Sequence, residues 1–342
     1  MAKSRETFRK KITTPELIEQ IDPENKRLMN MFLRNFATKR SPLSTKNYKS
    51  DLEIFFVWCV LNLENKKFSK IRKIEFAEFF DFALTELKWS PNRYLRMHSC
   101  LSSFSDWIEN YLDDEEGYED FRNLVKKIEK PVKDTVRKKT VLEKEDIDKL
   151  FEYFEQNNMT QDACLLALLI SSGSRAREIG RFKISIIDEN NTAFDDLFLE
   201  TTEEIQVKGR GVNGKQLIRY IRKDTFLPYY KKWLEERNNR LVVSKKEHDY
   251  IFINRNGDPG NDSLFRKWVG KWSEVIDKPI YLHSFRHYYT TELLRIGLEQ
   301  ELVQNIIGWE STDMVRIYDD STAKSRYWKG LEKLKNVANE SA

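Results

Sequence analysis

Between Glu204 and Ile221 the chain changes period, and this limits its folds more than any other feature. Up to Ile179 apolar residues recur every three or four positions, the spacing of one face of a helix. Then Glu204-Ile205-Gln206-Val207-Lys208 and Gln216-Leu217-Ile218-Arg219-Tyr220-Ile221 alternate apolar and polar around Gly209-Arg210-Gly211-Val212-Asn213-Gly214. This predicts a β-hairpin with a flexible tip. Helices return from Pro228, with one short strand at Asp249 to Asn254. The expected class is α+β, mostly helical with a small β-sheet or hairpin.

The 342 residues allow about two domains at ~150 each, and 40% hydrophobic content supplies each with a core. The first reads as all helix. Ser44 is a candidate N-cap for a helix through about Leu63, Ile74 to Leu87 gives a Phe-rich second, and Ser90-Pro91 opens a third carrying Tyr94, Met97, Leu101, Phe104, Ile108 and Leu112. Asp113 to Asp120 reads as a solvent loop, and Pro131 to Thr135 as a linker, because Pro131 interrupts helix. The expected domains are residues 1–135 and 136–342, joined by a basic linker at about 126–140. In the second, helices are expected at Leu142 to Gln156 and Asp162 to Ile170, then another capped by Ser174. A helix at 323–342 would carry the stripe Trp328, Leu331, Leu334, Val337 and Ala338.

Charge is uneven. The chain has 59 Lys and Arg against 55 Asp and Glu, a net of +4, but residues 1–140 hold 28 against 22. Asn25 to Ser50 contains seven basic and no acidic residues, and a second basic run spans Lys126 to Lys139. Two such runs bracketing one domain fit a nucleic-acid footprint better than a merely solvated face. The longest apolar run, Ile54 to Leu61, is far short of the ~20 residues of a membrane helix, so the expectation is a cytoplasmic protein with no membrane contact. Cys59, Cys100 and Cys164 sit in apolar stretches without C-x-x-C spacing, which predicts buried, reduced thiols.

Two short patterns mislead. Gly209, Gly211 and Gly214 fit G-x-G-x-x-G, and Gly214-Lys215 completes most of a P-loop. Both motifs need a helix directly after the glycines, whereas Gln216 to Ile221 alternates like a strand, and Gln216 stands where Mg²⁺ needs Ser or Thr. His283 and His287 are one helical turn apart but lack a carboxylate at ligand spacing, so no metal is expected. His283 and Arg286 share a helix face and could converge on one phosphate.

Read together, Gly173-Ser174-Arg175-Ala176-Arg177-Glu178, Lys208 on the hairpin, His283-Ser284-Phe285-Arg286, Gly308-Trp309 and Tyr318 follow one order, with nine residues from Trp309 to Tyr318. This order resembles the tyrosine recombinase (phage integrase) family, in a two-domain Cre/Xer-like layout, and the match runs from about Val141 to Tyr318. The resemblance implies a helical core-binding domain, and a catalytic domain of the kind shared with type IB topoisomerases. It also implies a site-specific recombinase that cuts and rejoins two duplex DNA sites through a 3′-phosphotyrosyl intermediate.

Under that resemblance Tyr318 is the nucleophile, and Arg175 and Arg286 clamp the non-bridging phosphate oxygens with planar forks that Lys cannot copy. Trp309 donates its indole N–H to the phosphate, and His283 either hydrogen-bonds the phosphate or takes the tyrosine proton. Lys208 protonates the leaving 5′-oxygen, with Lys215 across the tip as the alternative. Glu178 buttresses Arg175. Candidate DNA contacts are Lys46, Lys49, Arg93, Arg96, Lys138, Lys139, Arg210 and Lys215. No cofactor is expected. The partners are double-stranded DNA and further copies of the chain, a tetramer on two sites and a monomer or dimer off DNA, with accessory proteins left open. The other readings are a type IB topoisomerase and a non-catalytic sequence-specific DNA binder.

Overall fold

A computed structural model describes residues 11–132, 140–207 and 214–309, together with Ser311 and Val315. Residues 133–139 of the expected linker at about 126–140, residues 208–213 at the hairpin tip and the tail helix at 323–342 lie outside the described residues. Contacts separate residues 11–132 from a second unit built on residues 140–207 and 215–309.

The first unit contains α1 (Pro15–Glu19), α2 (Pro23–Lys39), α3 (Pro42–Asn62), α4 (Lys73–Thr85) and α5 (Pro91–Tyr111). Four of these start the same way. Thr14, Asp22, Ser41 and Ser90 each accept a backbone N–H of the first turn, and a Pro follows at the first helical position. There its missing N–H removes no bond and its fixed φ already suits a helix. The α3 cap is therefore Ser41 rather than the expected Ser44, because only Ser41 precedes a Pro; the Ser44 backbone N–H donates to the Ser41 hydroxyl at 3.3 Å.

The core of this unit is aromatic. Phe55 meets Phe79 edge-on at 4.9 Å and 86°, and Phe68 meets Phe104 at 4.7 Å. Each buried Phe removes apolar surface worth about 1.5–3 kcal/mol. α3 buries five consecutive residues, Phe55 to Cys59, so it is packed on several sides. Asp51 has no exposed surface; it accepts from Arg96 Nε at 3.0 Å and Nη2 at 2.9 Å, and from Arg93 Nη2 at 2.7 Å. The acidic segment 113–120 is the expected solvent loop, exposed at most of its residues, but it is tied down. Arg27 donates to Glu115 at 2.8 Å, and the buried Tyr118 hydroxyl donates to Glu24 at 2.7 Å, which ties the segment to α2.

The second unit runs α6 (Lys144–Gln156), α7 (Thr160–Ser172), α8 (Ala176–Ile179), β1 (Thr192–Ala193), β2 (Phe198–Glu200), β3 (Ile205–Val207), β4 (Lys215–Leu217) and β5 (Tyr220–Arg222). It continues through α9 (Lys223–Ser244), α10 (Asp262–Ile276), α11 (Leu282–Arg295) and α12 (Gln300–Ile307). α7 is its centre: every residue from Ala163 to Leu169 is buried, and α6, α9 and α11 pack around it. The expected hairpin exists as β3 and β4, paired Ile205 to Leu217 and Val207 to Lys215.

The alternating run from Gln216 to Ile221 serves two sheets. β5 leaves the hairpin and joins an antiparallel sheet of order β1-β2-β5, pairing Leu199 with Ile221. Residues 249–254 do not form the expected strand. They make only isolated bridges, Lys183 with Tyr250 and Ile253 with Pro259. Backbone bonds to Phe182, Ile184, Asp258 and Gly260, and the Gln161 side chain, which accepts the Ile253 N–H at 3.0 Å, satisfy the segment without a continuous ladder. Cys59, Cys100 and Cys164 are buried free thiols, and burial pushes each above its ordinary pKa. No helix among the described residues is long and apolar enough to cross a membrane.

Candidate active site

Two helix ends build the site. α7 stops at Gly173, whose φ of +58° turns the chain out of the helix, and α12 stops at Gly308 with φ +77°. Both are left-handed caps of the kind glycine supplies without a Cβ penalty. Each end leaves carbonyls without helical partners, and a helix C-terminus attracts cations.

Arg286, on α11 with no exposed surface, meets both ends. It donates from Nη1 to the Gly173 carbonyl at 2.5 Å and from Nη2 to the Ile307 carbonyl at 3.3 Å. Its guanidinium lies 5.1 Å from the centre of the buried Trp309 ring, a cation–π contact. Arg175 follows the α7 cap and keeps 26% of its side chain open. It is also the residue from which α8 starts, so the expected cap Ser174 is displaced. Ser174 is buried, and its hydroxyl lies 2.8 Å from the Ser172 hydroxyl, whereas Glu178 accepts the Arg175 backbone N–H at 3.1 Å and its Nη1 at 2.9 Å.

Glu178 is 1% exposed. Burial alone would raise its pKa, but the charges of Arg219, Arg175 and Arg286 and the Arg175 hydrogen bond outweigh it and hold the carboxyl below its ordinary value. The group is therefore an anion, hydrogen-bonded to the backbone and side chain of Arg175. His283 stands on the first turn of α11 with its side chain exposed. Desolvation, then the charges of Arg286, Arg175 and His287, push its pKa down to about 4. The imidazole is neutral at pH 7 and able to accept a proton.

Sequence reading missed Arg219. It lies in the short link from β4 to β5 and is fully buried, donating from Nη1 to the Ile307 carbonyl at 2.8 Å and from Nη2 to the Ser172 carbonyl at 2.7 Å. Nη2 is 3.9 Å from the Glu178 carboxylate. The available signal was parity: Arg219 and Ile221 are two residues apart on an alternating run, and both turn inward.

The remaining candidates are dispersed. Lys215 opens β4 opposite Val207. Lys46 and Lys49 are exposed on α3, with Lys49 3.7 Å from Glu53. Arg93 and Arg96 are engaged on Asp51, and Arg93 also stacks 4.1 Å from the centre of the Trp89 ring. Tyr318, Lys208, Arg210, Lys138 and Lys139 lie outside the described residues. The Tyr289 side chain is buried in the α11 packing, with its Cδ1 2.6 Å from where a Cβ on Gly173 would stand.

The phage integrase family matches residues 140–325. Among relatives, the chain is 27% identical over 305 residues to tyrosine recombinase XerC of Oceanobacillus iheyensis, covering 82% of this chain and 87% of that one. It is 27% identical to tyrosine recombinase XerD of Listeria monocytogenes, covering 86% and 94%. Two solved structures share the fold. One is the Tn1549 transposon integrase in complex with transposon right end DNA, with TM-score 0.64 and 15% identity, covering 91% of this chain and 99% of that one. The other is the XerH site-specific recombinase bound to palindromic difH substrate, with TM-score 0.63 and 17% identity, covering 88% and 94%.

Proposed function

The chain belongs to the phage integrase family, and from that premise we propose how its own residues carry the reaction. It is a site-specific DNA recombinase of the tyrosine type. The observation that supports a phosphate site most directly is the group Arg175, Glu178, Arg286 and Trp309, gathered where α7 and α12 end.

In this reading Tyr318 Oη attacks the scissile phosphorus, a 3′-phosphotyrosyl bond forms, and the bond to the 5′-oxygen breaks. The phosphodiester energy is kept in the covalent link, so the step reverses when a 5′-hydroxyl attacks back. His283 takes the tyrosine proton, and the leaving oxygen takes one from Lys208, or from Lys215 in its place. Arg175 meets the non-bridging oxygens from the open side, while Arg286 adds positive charge from beneath, stacked on Trp309. Trp309 also offers its indole N–H to the phosphate.

Residues 1–135 act as the core-binding domain, with Lys46 and the exposed edge of Arg96 on phosphates. Lys49, Arg93, Lys138, Lys139, Arg210 and Lys215 complete the proposed DNA contacts. Exchange of two strands on two sites requires four protomers, so the working form is a tetramer that assembles on DNA. The place of action is the cytoplasm.

The test traps the adduct. Wild type and Tyr318→Phe are incubated with nicked, labelled duplexes cut from the DNA flanking the gene, and SDS-resistant protein–DNA bands are scored. Wild type alone should form the adduct. An adduct in the Phe variant would move the nucleophile to another tyrosine; binding without any adduct on a duplex shown to hold the bound site would leave a non-catalytic DNA binder. Relaxation of supercoiled plasmids lacking that site would favour topoisomerase activity.

A further inference from the structure

We propose that Arg219 is a positioning residue of the recombination site, setting the spacing between the end of α7, which carries Arg175, and the end of α12, which carries Trp309. This rests on the reading that Arg175, Arg286 and Trp309 surround the scissile phosphate.

The geometry is that of a brace. One guanidinium spans the Ser172 and Ile307 carbonyls at 2.7 and 2.8 Å, the last residue of each helix. Arg286 makes a parallel span one residue along, to Gly173 and Ile307, so the Ile307 carbonyl accepts from both. Arg219 also stands 3.9 Å from Glu178, the carboxylate that fixes Arg175. The approach depends on Gly308, where an added Cβ would sit 2.5 Å from Leu217 Cδ1 and 3.4 Å from Arg219 Nη1. Arg219 reaches this place from the link between β4 and β5, two residues past the end of the hairpin strand, so the brace joins the hairpin's root to the arginine clamp.

Stability alone explains the residue poorly. A fully buried guanidinium is costly to desolvate, its Nε finds no hydrogen-bond partner among the described residues, and a well-packed apolar side chain serves a core as well or better. A planar fork that spans two fixed carbonyls does what an apolar residue cannot: it sets their distance. Site geometry matters because small displacements of charge-stabilising groups cost rate more than binding.

The experiment compares full-length wild type, Arg219→Met and Arg219→Lys. It measures affinity for a site-bearing duplex, the rate of Tyr318 adduct formation at saturating nicked duplex, and amide hydrogen exchange at Gly173, Gly308 and Trp309. Arg219→Met should bind DNA within about two-fold of wild type yet form adduct about ten-fold more slowly or worse, because the clamp and not the DNA surface has moved. Arg219→Lys, a single-point donor, should recover part of that rate. Exchange at the three amides should quicken in the Met variant.

A folded Met variant with wild-type rate, or a loss shared equally by binding and rate, overturns the proposal. If the Met variant does not fold, the Lys variant decides: a slowed rate with intact binding supports the brace, and an unchanged rate refutes it. If wild type itself forms no adduct, the functional reading fails instead, and the exchange data alone judge the brace: unchanged exchange in the variants refutes it.

Discussion

His283 and Glu178 show how one set of charges tunes two groups in opposite senses of use. Arg175 and Arg286 act on both: with Arg219 they hold the Glu178 carboxyl below its ordinary value, and after desolvation they help push the His283 imidazole down to about 4. A histidine whose folded pKa is depressed favours the fold while neutral. That contribution is present above the unfolded value of about 6.5 and is lost as pH falls from there through about 4. An NMR titration, assigned with His283→Gln, should give His283 a midpoint below about 5.5. If the imidazole takes the tyrosine proton, the rate of adduct formation should not halve at pH 6.5, where an ordinary histidine would be half protonated. A midpoint at or above 6.5 would remove the neutral base from the mechanism.

At the scale of elements, the two helix ends decide the site. Gly308→Ala should be harmful for two separable reasons: a φ of +77° strains any L side chain by about 1–2 kcal/mol, and the new Cβ would sit 2.5 Å from Leu217 Cδ1. For a unit of this size each kcal/mol lowers the melting temperature by about 2–4 °C. Calorimetry should therefore show a fall of several degrees, and an unchanged transition would mean that β4 yields freely at Leu217. These ends were partly legible. Gly173 sits where an apolar helical run stops, Ser90-Pro91 announced α5, and the alternation around the glycines announced β3 and β4, whereas Gly308 stood out only beside Trp309 and not as a helix end. The division of Gln216 to Ile221 between two sheets was not legible, because alternation records which face a residue turns to and not which strand it pairs with. Arg219 was only faintly legible for a related reason: parity turns it inward with Ile221, but an arginine on an alternating run reads as solvent-facing until carbonyls 47 and 88 residues away in sequence are brought to it. The caps divide in the same way: the Pro after Ser41 marked it over Ser44 in the sequence, whereas nothing there marked Arg175 over Ser174 as the residue that starts α8.

At the scale of the molecule, the two units have apolar clusters with no residue in common, one built around Phe55 and Phe104 and the other around α7. A substitution in one cluster should therefore register in that unit's own unfolding transition. Asp51 offers the sharpest case. Its carboxylate is buried and pairs with both Arg93 and Arg96, whose side chains remain 20% and 46% open. Asp51→Asn would leave Arg93 partly covered without its anion, while Arg96 can turn to water. The cost should therefore fall below the 3–5 kcal/mol of a fully buried pair broken on one side, at about 1–3 kcal/mol. In calorimetry of the full chain, Asp51→Asn should move one transition and leave in place the one that Gly308→Ala moves. A single transition shifted alike by both substitutions would instead make the two units one cooperative block. The same variant also separates structure from recognition. If Arg93 and Arg96 serve chiefly to hold Asp51, freeing them adds two guanidiniums to the basic face, and the salt dependence of DNA binding should steepen by up to about two phosphate equivalents. If they already engage phosphates while on Asp51, the slope should not change, because no counterion-releasing contact is gained.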